Sequence, residues 1–156
     1  MMLQTLVFIC AFALWCQGSL PSSPAAAADC VTALEKKRLA AETNIDGRVK
    51  IYREISERLH QTVQTAVARQ GFDELPPLVG CWQEQLAASL KDIEANINRK
   101  KKSGALINYE IQLRKSIVDM GDNKVKAPYQ QQTDFESWLA QANRVHEKFV
   151  DILFQR

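Results

Sequence analysis

Through most of this chain apolar residues recur three and four positions apart, and that spacing confines the polypeptide to helices. Ile45, Val49, Tyr52, Ile55, Leu59, Val63, Ala66 and Val67 fall on one face of a 3.6-residue turn, whereas a strand would alternate by two. The pattern predicts a helix ending near Gln70, where Gly71 offers a left-handed cap and Pro76-Pro77 forbids continuation. Upstream, Val31, Leu34 and Ala41 give a weaker stripe, and Asn44-Ile45-Asp46-Gly47 either breaks or bends the chain.

A second helix is expected from Pro77, which a first turn tolerates because its missing N–H has no helical partner there. Its stripe is Leu78, Trp82, Leu86, Leu90, Ile93 and Ile97, and a further stripe reads Leu106, Tyr109, Leu113, Ile117 and Met120. The step from Ile97 to Leu106 turns through about 900°, so the two stripes lie on opposite faces unless the helix breaks at Ser103-Gly104. Gly121 and Asp122-Asn123-Lys124 stop the pattern, and Tyr129-Gln130-Gln131-Gln132 reads as a polar loop. Thr133-Asp134-Phe135-Glu136 then matches a capping box ahead of Phe135, Trp138, Leu139, Ala142, Val145, Phe149, Ile152 and Leu153.

The expected fold is therefore all-α: an elongated antiparallel helical hairpin or bundle of three to four long helices. The favoured boundaries are about 31–70, 78–120 and 134–155, the second either continuous or broken near 103–104. The alternative is a four-helix bundle of segments 45–70, 78–102, 105–120 and 134–155, with short connections and antiparallel neighbours. The cysteines discriminate between the two. A straight 31–70 helix would hold Cys30 about 60 Å from the Gly71 turn that leads to Cys81, far beyond disulfide range, so a Cys30–Cys81 bond requires a fold-back near Gly47.

Residues 1–28 contain no Asp, Glu, Lys or Arg, and residues 3–16 are almost unbroken apolar sequence. Fourteen helical residues span only about 21 Å, short of a hydrocarbon layer, and Ala26-Ala27-Ala28 supplies small residues ahead of a cleavage at Asp29. The reading is a cleavable signal peptide, 1–28, followed by a single helical domain, 29–156, that is periplasmic or secreted and has no membrane span after cleavage. Lipid attachment at Cys16 is the poorer reading, because Trp15 stands where a lipoprotein signal needs a small residue. Cys30 and Cys81 are left as an even pair in a compartment where disulfides form.

The net charge of +2 comes from twenty basic and eighteen acidic residues intermixed along the chain, which offers no broad field to nucleic acid. Arg99, Lys100, Lys101 and Lys102 form the one basic cluster, and Phe154 in the last turn has few neighbours to cover it. These five are the candidate interaction residues. Covalent heme would need Cys-x-x-Cys-His, which does not occur, and Glu57-Arg58-Leu59-His60 is a single copy of a motif that dinuclear sites need twice. No Gly-x-Ser-x-Gly or phosphate loop is present. The function expected is that of a non-catalytic binding, scaffold or chaperone-like module of the cell envelope, with a protein partner or a second copy of itself and no cofactor. The alternative is a bundle that holds heme or a metal through His60 or His146.

Overall fold

The structure is a computed structural model that describes residues 30–154. The signal peptide and the Cys16 reading lie outside the described residues. Five helices follow in order: α1 (Ala33–Ala41), α2 (Ile45–Ala68), α3 (Leu75–Asn96), α4 (Gly104–Lys126) and α5 (Tyr129–Phe154), with a 3₁₀ turn at Phe72–Glu74. There is no strand among the described residues, so the all-helical class holds, while the count is five rather than three to four.

Both long helices of the favoured hairpin are broken. The 31–70 segment divides at residues 42–44, where the chain reverses so that α1 lies back along α2. Asn44 caps α2 by accepting from the Asp46 N–H at 2.9 Å, and the Arg48 guanidinium reaches back to the carbonyls of Glu42 and Thr43. Gly47 is helical, and its missing Cβ leaves the space that the Glu42 side chain occupies. The 78–120 segment divides at residues 97–103. That break resolves the conflict of faces, since Ile93 and Leu106 are both fully buried once each helix turns independently.

Several ends also shift for local reasons. Gln70, not Gly71, takes the left-handed conformation at φ 60°, while the Gly71 N–H closes the end of α2 on the Ala66 carbonyl at 2.8 Å. α3 begins at Leu75 and holds both prolines in its first turn. α4 runs through Gly121 to Lys126, because Met120, Asn123 and Ala127 continue its buried stripe. α5 starts at Tyr129, directly behind Pro128, so the 129–132 segment is a helical turn rather than a loop, and the Gln132 amide bonds the Ala127 carbonyl at 3.1 Å.

The arrangement is two antiparallel hairpins, α2/α3 and α4/α5, laid together. α2 packs on α4 and α3 on α5, and these cross pairs run parallel: Ser103 meets Asp46 while Asp119 meets Gln64, and Ser137 meets Gln83. The uniform antiparallel neighbours of a short-loop bundle are thereby corrected. Because α3 and α4 occupy opposite corners, the 97–103 connection crosses one end of the bundle.

Between the helices the largest buried side chains are Trp82, Trp138, Tyr109, Phe135 and Phe149. The rings of Trp82 and Trp138 stand 4.3 Å apart and those of Tyr109 and Phe149 5.1 Å apart, which ties α3 to α5 and α4 to α5. Several polar atoms in this core are matched, whereas the Trp138 indole N–H and Gln85 Oε1 are buried without a hydrogen-bond partner. The Trp82 indole N–H donates to Ser56 Oγ at 2.8 Å, and the Tyr109 hydroxyl lies 3.2 Å from Ser89 Oγ and accepts from the Gln85 amide at 3.3 Å. At the crossing end, the Asp92 carboxylate holds both Arg48 and the Tyr52 hydroxyl; burial first, then that hydrogen bond, pushes the Tyr52 pKa up to about 12.

α1 buries no side chain fully; Leu39 packs partly buried against the core, as does Val31 ahead of the helix, and polar and covalent links complete the attachment. Thr32 and Glu35 form a capping box, Arg58 grips the Glu35 carboxylate through two bonds of 2.8 Å, and Cys30 is disulfide-bonded to Cys81 with a Cα separation of 5.0 Å. Burial pushes the Glu35 carboxyl up, but the hydrogen bonds from Arg58 and Thr32 outweigh it and hold the group below its ordinary value.

Candidate functional site

Two places gather chemistry-bearing side chains: the crossing end of the bundle and the surroundings of His60. At the crossing end the 97–103 connection is shaped by its own polar atoms. Asn98 Oδ1 accepts from the Lys100 N–H at 3.0 Å, and the Asn98 carbonyl accepts from the Lys101 N–H at 3.1 Å, which makes a tight turn. Ser103 anchors the far side: its hydroxyl donates to Asp46 at 2.6 Å and accepts from the Leu106 N–H at 3.1 Å as the N-cap of α4.

Between those anchors Arg99, Lys100, Lys101 and Lys102 are all exposed. They line a cleft of about 320 Å³ whose apolar wall is Ile97, Leu106, Ile152, Leu153 and Phe154. Leu106 and Ile152 are buried, and Phe154 is 63% exposed at the mouth. The five residues named as interaction candidates, separated by more than fifty positions, are thus brought to one place by the fold. Sequence reasoning missed the wall, and the signal for it was the phase change between Ile97 and Leu106.

The first turn of α4 carries no acidic residue of its own; the Asp46 carboxylate stands at its N-cap, 2.6 Å from the Ser103 hydroxyl, and four cations adjoin the same end. Cations at a helix N-terminus oppose the macrodipole, so the cluster works against the fold locally and in favour of any anion that approaches.

His60 forms the second gathering. It is 4% exposed and faces the Trp82 ring at 5.4 Å. Its Nδ1 lies 3.3 Å from Ser116 Oγ, and its Nε2 lies 3.3 Å from Asp119 Oδ2 and 3.0 Å from the Gln64 amide. Ser116, His60 and Asp119 have the composition of a hydrolytic triad, but the Ser116 hydroxyl is fully buried and donates to the Gln112 carbonyl at 3.0 Å. Its proton is committed to the helix, and its oxygen has no path to an external carbonyl. Burial drives the His60 pKa below its ordinary value, against the pull of Asp119 and Glu57.

His146 lies on α5, apart from His60, and its Nε2 is 2.8 Å from Glu110. Ligation through His60 would displace one of its contacts, since both of its ring nitrogens are engaged, whereas the His146 contact with Glu110 engages Nε2. Among the described residues no group of three or more His, Cys, Asp and Glu side chains is placed to hold a metal ion, and no helix is long and apolar enough to cross a membrane. No protein-family model, curated protein or solved structure matches the chain.

Proposed function

We propose that this is an exported protein that acts by binding rather than by catalysis, as an adaptor or chaperone-like module of the cell envelope. Its recognition site is the cleft at the crossing end, and its ligand is an acidic segment of a protein partner that also carries aromatic or aliphatic side chains. The observation that carries this reading is the meeting of Arg99, Lys100, Lys101 and Lys102 with the Phe154, Leu153 and Ile97 wall in one cleft. An acidic group would pair with the basic rim, and an adjoining apolar side chain would lie against Phe154.

A basic surface alone would suit any anion. The apolar wall selects for a ligand with both characters, and the cleft volume of about 320 Å³ has room for one or two side chains. The test is a two-dimensional amide NMR titration with a synthetic peptide of alternating acidic and aromatic residues. Shifts are expected at 97–106 and 150–154, with affinity falling about tenfold on Lys100→Ala/Lys101→Ala/Lys102→Ala and falling again in high salt. Shifts centred elsewhere, or affinity indifferent to both changes, would refute the reading.

A further inference from the structure

α4 carries two apolar faces, and the bundle uses only one. Its inner face, with Leu106, Tyr109, Leu113 and Met120, is fully buried. On the outer side Ile111, Val118 and Val125 are 47%, 62% and 82% exposed. They are spaced by seven, which drifts by only about 20° per step on a helix, so the three form one seam about 21 Å long. The flanks of α4 are already taken: Asp119 reaches α2 through Gln64 and Lys124 reaches α5 through Glu136. The seam lies between those flanks and points outward. Among the described residues no large hydrophobic side chain of α2 or α3 is exposed, so the feature is particular to α4. Val and Ile are also weaker helix formers than the Lys or Ala that would serve on a solvated face, so helix propensity does not explain them.

We propose that two copies of this chain pair through α4, antiparallel, about a two-fold axis at Val118. In that register Ile111 of one copy meets Val125 of the other, and Val118 meets itself. The charges choose this direction. Arg114, whose side chain is 62% exposed, falls opposite the exposed Asp122 of the second copy, and the same pair recurs by symmetry on the other side of the axis. A parallel pairing would set Arg114 against Arg114. A seam of two heptads is small for an obligate interface, so the association is expected to be weak and concentration-dependent.

Sedimentation velocity on the protein obtained by expressing the whole chain tests this, over about 5–500 μM, where a small helical interface should dissociate and reform. Val118→Asp, which places two carboxylates on the axis, should leave monomer at every concentration with unchanged helix content and melting temperature. Arg114→Asp and Asp122→Arg should each weaken the dimer, and the combined Arg114→Asp/Asp122→Arg variant should restore it. A monomer throughout, a dimer indifferent to Val118→Asp, or a combined variant no stronger than its parents would overturn the proposal.

Discussion

Removal of the Cys30–Cys81 bond should separate two contributions that the fold combines. The crosslink closes a loop of 51 residues, and in the chain-entropy picture the loss of such a link frees the unfolded chain by about 4 kcal/mol at 25 °C. The native side offsets part of this. α1 buries no side chain fully and is otherwise held by the partly buried Val31 and Leu39, by Arg58 on Glu35 and on the Cys30 carbonyl, and by the Arg38–Glu54 pair; that last pair is nearly half exposed on each side and adds little. Once the bond is cut, residues 30–41 gain freedom in the native state too. The expected loss for Cys30→Ser/Cys81→Ser is therefore about 2–4 kcal/mol, below the full entropic figure. Urea unfolding followed by circular dichroism should show the midpoint fall by about 1–2 M, given a slope of roughly 2 kcal/mol/M for a domain of this size. Hydrogen exchange under native conditions should rise across Ala33–Ala41 and stay slow at Trp82 and Trp138, because the four-helix core does not depend on α1. An unchanged midpoint, or loss of protection in α3 and α5 without denaturant, would refute this division between a stapled arm and an independent core.

Two further outcomes follow from single residues. His60 is held neutral by burial, so the folded state binds fewer protons than the unfolded chain at acid pH; stability should be full above the ordinary histidine value of 6.5 and fall as pH drops below it. The charged groups facing the ring are Asp119, Glu57 and Lys115. Urea midpoints between about pH 7.5 and 5.5 should decline in the parent and flatten in His60→Gln, and equal slopes in the two would contradict the assignment. Gly80 sits inside α3 with no atom within 4 Å of where a Cβ would be, so Gly80→Ala should raise stability by about 0.5–1 kcal/mol in thermal or urea unfolding; a loss would mean that the position is not open.

The helices themselves were legible. Three-and-four spacing marked most of each buried face from Ile45 to Leu153, because burial on one side of a helix imposes that period whatever the partner; it missed Leu75 and Val79 at the start of α3 and Asn123 and Ala127 at the end of α4. Ends were read less well where the decisive contact is distant. The Thr133–Glu136 capping box is bypassed because the two-residue junction at Ala127 and Pro128 already starts α5, and Gly121 is carried through because Met120, Asn123 and Ala127 are buried around it. The basic cluster and Phe154 stood out separately as exposed features, but nothing within a few residues of either signalled that they share a cleft.

By itself the sequence determined an all-helical chain, the phase of each buried stripe and the need for a reversal before α2 if Cys30 is to reach Cys81. Periodicity, caps and chain reach act over a few residues, or set limits on distance, and need no knowledge of neighbours. Only the tertiary structure decided that α2 lies parallel to α4 and α3 to α5, that residues 97–103 cross the end, and that the crossing lays four cations against the end of α5. Those choices turn on how Trp82 fits Trp138 and Tyr109 fits Phe149. Shape complementarity between side chains far apart in sequence leaves no local pattern from which to read it.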